Sequence, residues 1–308
     1  MHPSRSARWG VARTRPRALA SVLVLRASLL LAFLVASAAA AAQEAGSPDW
    51  PLVPGRMGFN ALPVQPNADP VIGELAELEI AAGMQLSGLD ARDHAATPYL
   101  RLMVPFREAA ALEVDATPIE IWRTSVATQQ RLQALYRAGG TPGDVRFGAR
   151  FLVLRERTRP ALGLRLTVKS ATGKGLHSRR FTNAPGYEVD VLLGKEVGTL
   201  GGARLRALAR VGFLSWQYAQ NTQDDAVAYG ATLRANGPGA AMELEWRGYA
   251  GWRFADRPSV LGLAAIVPVR RGELRAAVNA GVSTDAPPLE LRIGWVGRFE
   301  VPALLRAE

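Results

Sequence analysis

The chain has 308 residues, with 37 Lys and Arg against 27 Asp and Glu, a formal net charge of +10, and no cysteine. The lack of cysteine excludes disulfides, thiolate metal ligands, catalytic thiols and a lipidated N-terminal cysteine. The length alone is compatible with one or two domains.

Residues 1–42 have the composition of a cleaved signal peptide. Six arginines and no acidic residue occur in this stretch, and its last part, residues 27–42, is apolar. Ala40 and Ala42 give the small-x-small pattern of a cleavage site, so we predict cleavage after Ala42. The apolar run is too short for a membrane-spanning helix, which needs about 20 residues. The alternative is an uncleaved membrane anchor with Arg26 inside its span.

Cleavage changes the charge balance of the protein. Removing six arginines from 37 basic residues leaves 31 against 27 acidic residues, a net charge of about +4. The high net charge is therefore partly a property of the leader, and a nucleic-acid partner is not predicted. Residues 43–73 follow; they are rich in Pro, Gly and Asn and lack alternation. We predict a periplasmic N-terminal arm or a plug there.

From Glu74 onward, apolar and polar residues alternate with the period of a β-strand. In residues 161–169, for example, Leu164 and Leu166 alternate with Arg165 and Thr167. Twelve segments of about ten residues show this pattern, near 75–87, 99–108, 111–122, 143–155, 160–170, 187–197, 203–215, 226–235, 240–252, 259–269, 273–283 and 289–299. After residue 43 no apolar run is long enough for a transmembrane helix.

The connections between these segments alternate in length. Those after segments two, four, six, eight and ten are short, whereas 88–98, 123–142, 171–186 and 216–225 are longer and more polar. Short turns at one end, long loops at the other and an even strand number are typical of an outer-membrane barrel with both termini in the periplasm. We therefore predict an all-β fold, an antiparallel transmembrane β-barrel of about 12 strands (10–14) over residues 74–299.

A soluble β-sandwich also alternates and is the competing interpretation. In this chain the polar face consists mainly of Arg, Glu and Asp separated by glycines, which suits a confined interior where neighbouring strands neutralise each other. Aromatic residues fall near segment ends, where the girdles of a membrane barrel lie: Tyr99, Phe106, Trp122, Tyr187, Trp216, Trp252 and Phe299. The apolar face is therefore predicted to contact lipid.

Three local features interrupt or follow the strands. Pro118 breaks the third segment and predicts a bulge. Residues 125–138 carry Leu132, Leu135 and Tyr136 at helical spacing, which predicts a short helix in an outer loop. Residues 300–308 form a predicted C-terminal tail beyond Phe299, which stands where the terminal aromatic of such barrels is expected.

Several stretches resemble a group of uncharacterised outer-membrane β-barrel proteins from Gram-negative bacteria. These are FNALPVQPNADP at 59–70, TNAPGYEVDVLLGKEVG at 182–198, GFLSWQYAQNTQDDAVAYGATL at 212–233 and ADRP at 255–258. The stretches 143–153 and 160–173 are more weakly similar to the phenol meta-pathway-type outer-membrane channel family, which has Pro where this chain has Ser170. The resemblance implies a barrel and brings neither a substrate nor a catalytic residue.

Catalytic chemistry has few candidates. Beyond the leader the chain has only His94 and His177. His177 precedes Ser178 in a long loop, which leaves a lipid-active hydrolase as a minor alternative, although adjacent residues on a strand point to opposite faces. Asp90 and Asp93 near His94 could make a weak cation site. We predict no enzyme activity, no metal and no cofactor.

The predicted site is therefore the lumen. Its candidate lining residues are Arg101, Arg146, Arg150, Arg165, Lys169, Arg204, Arg206, Arg210, Arg247, Arg292, Glu77, Glu79, Glu113, Asp115, Glu188, Asp190, Glu243, Glu245 and Glu290. A barrel of 12 strands is intermediate in width between filled eight-stranded barrels and open porins of 16–18 strands.

We predict a narrow outer-membrane channel or binder for small anionic or hydrophobic solutes, with Arg204, Arg206 and Arg210 forming a basic stripe. The alternatives are a structural network of ion pairs that fixes the strand register, and a closed structural or docking barrel. The expected partners are outer-membrane lipid and, during biogenesis, the barrel assembly machinery.

Overall fold

The computed structural model describes residues 57–58, 60–86, 92–218, 222–253 and 255–300. The predicted signal peptide 1–42, most of the arm 43–73 before residue 57, and the tail beyond residue 300 lie outside this part. The described strands are β1 (Leu75–Leu86), β2 (His94–Phe106), β3 (Ala110–Ala116), β4 (Glu120–Arg123), β5 (Ala138–Thr141), β6 (Val145–Leu154), β7 (Ala161–Lys169), β8 (Gly186–Leu200), β9 (Ala203–Tyr218), β10 (Thr222–Asn236), β11 (Ala241–Gly251), β12 (Ser259–Val269), β13 (Gly272–Gly281) and β14 (Leu289–Glu300).

These strands form one closed antiparallel sheet. β1 pairs with β2 on one side and with β14 on the other, so the sheet has no free edge between its first and last strands. β4 continues β3 along β2, and β5 with β6 forms the next position around the barrel. Fourteen strand segments therefore fill twelve positions. The predicted twelve-stranded barrel is confirmed.

The two breaks, at residues 117–119 and 142–144, lie side by side in neighbouring positions. The predicted irregularity at Pro118 is part of the first break, where proline cannot donate to the ladder. The N–H of Gly143 donates to the carbonyl of Thr117 over 3.0 Å, so the wall stays hydrogen-bonded across the breaks.

Burial along the strands is the reverse of that in a soluble protein. In β7 the side chains of Leu164 and Leu166 are 42% and 43% exposed, whereas Arg165 and Lys169 are 3% and 0% exposed. The same reversal holds in β8, where Val189 is exposed and Asp190 is buried. Leucine and valine side chains face outward all round the sheet because the surrounding medium is apolar. The interior therefore holds the charges, as the alternation predicts.

The loop lengths distinguish the two ends of the barrel. Connections 107–109, 155–160, 201–202, 237–240 and 270–271 lie at the end where Leu75 pairs with Glu300, and we call it the short-turn end. Gly201 and Gly202 both have positive φ in the two-residue turn between β8 and β9, which favours glycine. The opposite, long-loop end carries connections 87–93, 124–137, 170–185, 252–258 and 282–288.

Two expectations at the long-loop end are wrong. The predicted loop 216–225 is largely strand, since β9 runs to Tyr218 and β10 begins at Thr222. Of the aromatic residues predicted for the membrane girdles, Tyr99, Trp122 and Trp216 are buried inside the barrel because each lies at an inward position of its strand.

The helix predicted over residues 125–138 is a shorter helix, α1 (Val126–Leu132). Ser125 caps its N-terminus by accepting a hydrogen bond from the N–H of Thr128, and the left-handed conformation of Gln133 ends it. A one-turn 3-10 helix, Leu176–Ser178, lies in the loop 170–185. Neither described helix is long and apolar enough to span a membrane.

Candidate functional site

The barrel interior is lined by ion pairs between neighbouring strands. Arg165 on β7 donates to Asp190 on β8 over 2.6 Å, and Arg210 on β9 donates to Glu188 on β8 over 2.5 Å. All four side chains are at most 4% exposed. Lys169, also on β7, meets the equally buried Asp144 at 2.8 Å. The first two pairs lie on the adjacent strands β7, β8 and β9, and the third joins β7 to the residue before β6. These pairs neutralise the charges and fix the register of that wall.

The remaining predicted lumen residues also form ion pairs, some between neighbouring strands and others along one strand, as for Arg247 with Glu245 and Arg292 with Glu290. Their pairs are Arg101 and Arg150 with Glu113, Arg146 with Asp115, Arg247 with Glu245, Arg292 with Glu290, Glu243 with Arg234 and Arg275, and Glu77 with Arg298. Glu79 stands opposite Arg101 in the register of β1 and β2. Most of the predicted set is therefore brought together, while Glu77 and its partner are partly exposed.

The predicted basic stripe on β9 is not a stripe of free cations. Arg204 lies beside the β8–β9 turn with its side chain 71% exposed, at the edge of the lumen. Arg210 is neutralised within the wall as described above. Arg206 is held by two acids from distant parts of the sequence, Asp69 at 2.5 Å and Glu156 at 2.7 Å.

The N-terminal segment, residues 57–73 as far as described, lies inside the barrel. At the short-turn end the carboxylate of Asp69 accepts two hydrogen bonds from Arg206, and its carbonyl accepts one from Arg150. Further along, the carbonyl of Pro66 accepts a hydrogen bond of 3.0 Å from Arg165. The segment therefore uses N–H groups of the lumen arginines that their carboxylate partners leave free.

The middle and outer parts of the segment are also anchored. Asn67 donates its backbone N–H to Glu245 over 2.7 Å and its side-chain amide to Thr232 over 2.9 Å, on two neighbouring strands. Towards the long-loop end, Ala61 and Leu62 pack in an apolar cluster with inward-facing Trp216. The N–H of Gly58 then donates to the carbonyl of Arg179 in the loop 170–185.

Glycines in the wall make room for this segment. A Cβ on Gly163 or on Gly194, in the adjacent strands β7 and β8, would lie within about 3.0 Å of Pro70. A Cβ on Gly230 would collide with the side-chain amide of Asn67. Any larger residue at these three positions would displace the segment, so the barrel wall is shaped to hold it.

Towards the long-loop end the segment forms the floor of a cavity of about 470 Å³. A polar network centred on Asn60 and Glu290 lines this floor. The hydroxyl of Tyr99 is 3.1 Å from the side-chain amide oxygen of Asn60 and from the carboxylate of Glu290. The side-chain amide of Gln85 donates to both Asn60 and Tyr99. Asn60 also contacts Glu120, which pairs with Arg180 at 2.6 Å.

The network contains residues that the sequence analysis does not propose for the site, among them Asn60, Gln85, Tyr99, Glu120 and Arg180. Asn60 and Arg180 lie in segments without periodicity, and strand parity does not show that Gln85, Tyr99 and Glu120 meet those segments, so only the closed fold brings them together.

The histidines show no catalytic arrangement in the described residues. His177 and Ser178 are consecutive in the 3-10 helix, and Ser178 is buried. His94 begins β2 and pairs through its backbone with Arg123. Asp93 is buried and accepts hydrogen bonds from Ser125 and Thr128, so it stabilises the start of α1. Asp90 of the predicted weak cation site lies outside the described residues, and among those described no group of three or more His, Asp or Glu side chains is arranged to hold a metal ion.

Among the comparisons with known proteins, only the comparison with solved structures finds similar proteins, and it supports the barrel fold. No protein-family model matches the chain, and no curated protein matches it. Among solved structures, an outer-membrane channel from Pseudomonas putida F1 superposes with a TM-score of 0.52 at 14% identity, covering 83% of this chain and all of that one.

Two porins are also similar in structure. The NanC porin gives a TM-score of 0.49 at 10% identity over 73% of this chain and all of that one. The KdgM porin gives 0.46 at 8% identity, over 73% of this chain and 99% of that one. At these identities the likeness concerns the fold alone.

Proposed function

We propose that this protein is an outer-membrane channel for small solutes whose lumen is closed by its own N-terminal segment. The outward apolar face requires a lipid environment, and the fold together with the leader composition supports the outer membrane as its location. The observation that carries the proposal is the seating of residues 60–72, which contact five or more strands and fit against the wall glycines.

A segment that lines the lumen from one end to the other blocks diffusion while it is seated. Its contacts are hydrogen bonds and ion pairs rather than a strand of the barrel, so the segment can leave without opening the sheet. The ladder from β1 to β14 does not depend on it. Closure is therefore a separate, reversible property of the fold.

The test is the single-channel conductance of the refolded mature protein in a planar bilayer, with and without residues 43–73. We expect the complete mature chain to stay closed for most of the time and the shortened chain to conduct steadily. A shortened barrel that folds, as judged by heat-modifiable migration on a gel, and still carries no current would refute the open-channel interpretation.

A cysteine pair gives a reversible version of the same test, because the natural chain has no cysteine. A Cβ on Gly230 would lie 2.7 Å from Cγ of Asn67, which places the two Cβ atoms within disulfide range. The double variant Asn67→Cys/Gly230→Cys should be closed when oxidised. After reduction it should open more often than the natural protein, since the amide contacts of Asn67 are lost. Equal conductance in both redox states would contradict closure by this segment.

The second candidate is a closed barrel with a structural or docking role. The observation in its favour is the set of buried ion pairs that join β7, β8 and β9 to each other and β7 to Asp144, which fill that side of the lumen whether or not the N-terminal segment is present. A silent shortened barrel would support this candidate. The absence of enzymatic activity stays a prediction.

A further inference from the structure

We infer that the cavity at the long-loop end is a binding site for a small carboxylate with a compact aliphatic body. This inference deepens the proposed function, because the occupant of such a site is a solute on its way to the lumen. The site is bounded by the N-terminal segment below, by α1 and Arg180 on one side, and by strands β11 to β14 on the other.

The cavity has hydrogen-bond donors to spare. Arg131, Arg180, Arg247 and Arg292 all line it. The Nε atoms of Arg247 and Arg292 and one terminal nitrogen of Arg180 are buried and have no acceptor among the described residues. Arg180 itself is 5% exposed. Buried guanidinium N–H groups without acceptors favour an anion, and a carboxylate offers two oxygens to them.

Of the three acidic residues that line the cavity, Glu290 and Asp285 are already engaged by hydrogen-bond donors of the protein. Glu290 already accepts hydrogen bonds from Arg292, Asn279 and Tyr99, at 2.9, 2.9 and 3.1 Å. Asp285 accepts the backbone N–H of Arg257 over 2.8 Å.

The third acid of the cavity, Asp256, carries a reduced negative charge at neutral pH, and both of its carboxyl oxygens are buried without a donor among the described residues. Burial, together with the neighbouring carboxyl group of Asp224, raises the pKa of Asp256 to about 7. A substantial fraction of this carboxyl group is therefore protonated at neutral pH.

The body of the ligand would meet aliphatic side chains. Leu62, Pro63 and Val64 of the N-terminal segment, Leu132 of α1 and Val260 of β12 line the same cavity. In the wall between Arg247 and Arg292 the inward positions are small: Val260 of β12 lies opposite Gly281 of β13. The space between the two arginines is therefore open, and aliphatic side chains line part of it beside the polar network of the floor.

Three probes separate the contributions of charge and body. Hexanoate carries both features, 1-hexanol has the same chain without the charge, and acetate has the charge without the chain. We expect hexanoate to bind the complete mature protein in lipid nanodiscs at least tenfold more tightly than either analogue, by isothermal titration calorimetry. Equal binding of hexanoate and hexanol would overturn the anion assignment.

Variants locate the site. Val260→Phe should narrow the cavity beside Arg247 and weaken hexanoate binding, whereas Leu261→Phe, the neighbouring residue with an outward side chain, should leave it unchanged. The double variant Arg292→Gln/Glu290→Gln removes both charges of one pair, so no buried ion is left alone. It should weaken hexanoate binding at least tenfold and leave hexanol unaffected. Heat-modifiable migration confirms that each barrel is folded. Equal hexanoate binding by the two phenylalanine variants would refute this location.

The hexanoate-binding test and the conductance test can fail independently of each other. The cavity lies on the outer side of the seated segment, so hexanoate should bind to the closed protein. A protein that binds hexanoate but never conducts would contradict the channel and leave the site intact. A protein that conducts when shortened but does not bind hexanoate when complete would contradict the site and leave the channel intact.

Discussion

The contact between Asp69 and Arg206 gives a quantitative prediction for closure. Two charge-assisted hydrogen bonds, of 2.5 and 2.8 Å, join the carboxylate to the guanidinium, and both side chains are largely buried, at 20% and 12% exposure. Asp69→Asn removes the charge and one of the two acceptor oxygens. Arg206 keeps Glu156 as its partner, so the variant does not leave a buried arginine without a counter-ion.

A hydrogen bond to a charged group contributes about 1.5–3 kcal/mol. With partial solvent screening we expect Asp69→Asn to weaken seating of the segment by about 2 kcal/mol, which is about a 30-fold increase in the ratio of open to closed time. Asn67, Pro66 and Asn60 still hold the segment, so the variant should flicker rather than stay open. The ratio is measured from single-channel dwell times at fixed voltage.

The matched control is Asp115→Asn. Asp115 pairs with Arg146 at similar exposure, 23% and 17%, but both residues belong to the barrel wall and neither has a hydrogen bond to the segment. This variant should not change the ratio of open to closed time. If both variants change the ratio equally, or Asp69→Asn leaves it within threefold of the natural value, the segment is not held closed by this contact.

Three further predictions concern stability. Arg210→Leu leaves Glu188 buried without its cation and should lower the free energy of unfolding by about 3–5 kcal/mol, measured by urea titration in lipid vesicles; a loss below 1 kcal/mol would contradict the pairing. Leu164→Arg places a charge on the lipid face and should lower the free energy of unfolding by about 2–4 kcal/mol in the same titration. No change is expected if that face contacts water instead of lipid. Because the pKa of Asp256 is raised to about 7, the folded protein binds a proton more tightly than the unfolded chain, so stability should fall as the pH rises from about 4 to about 7. Asp256→Asn should remove this part of the pH dependence of the melting temperature, and an unchanged profile would exclude Asp256 as its source.

The barrel could be predicted because every residue of a membrane strand meets one of two opposite media. Outward positions in lipid must be apolar and inward positions can be charged, so the pattern appears in the sequence of β7 and β8 without any knowledge of their neighbours. The same reasoning explains the error at residues 216–225. Where β9 and β10 extend past the apolar band, the outward positions Gln217 and Gln223 are polar and exposed, whereas Trp216 on the inward face packs in an apolar cluster. The sheet therefore continues while the alternation of apolar outward and polar inward residues disappears.

The lumen could be predicted only as a set of residues. Parity places Arg150, Arg165 and Arg206 inside, but it does not say which acid each one meets. Their acceptors include Asp69 and the carbonyl of Pro66, which belong to a segment with no periodicity, and Glu156, which lies in a short turn. Every residue has a backbone carbonyl, so the sequence does not indicate which carbonyl will accept a hydrogen bond from a lumen arginine. Parity alone therefore does not show that the three arginines of the predicted stripe on β9 are each paired with acids.

These contacts also determine what an open lumen would prefer. When the segment leaves, Arg206 loses Asp69 but keeps Glu156, and Arg150 and Arg165 lose carbonyl acceptors while their cationic charge remains. One negative charge departs from the narrow interior and three arginines gain free N–H groups, so the open lumen should carry anions more readily than cations. We therefore expect the chain without residues 43–73 to show an anion-selective reversal potential in asymmetric KCl. Arg206→Glu in the same chain should move that potential towards cation preference, while Arg204→Glu, at the exposed edge, should move it less. Cation selectivity in the shortened natural barrel would show that the wall acids, and not the arginines released by the segment, control the open state.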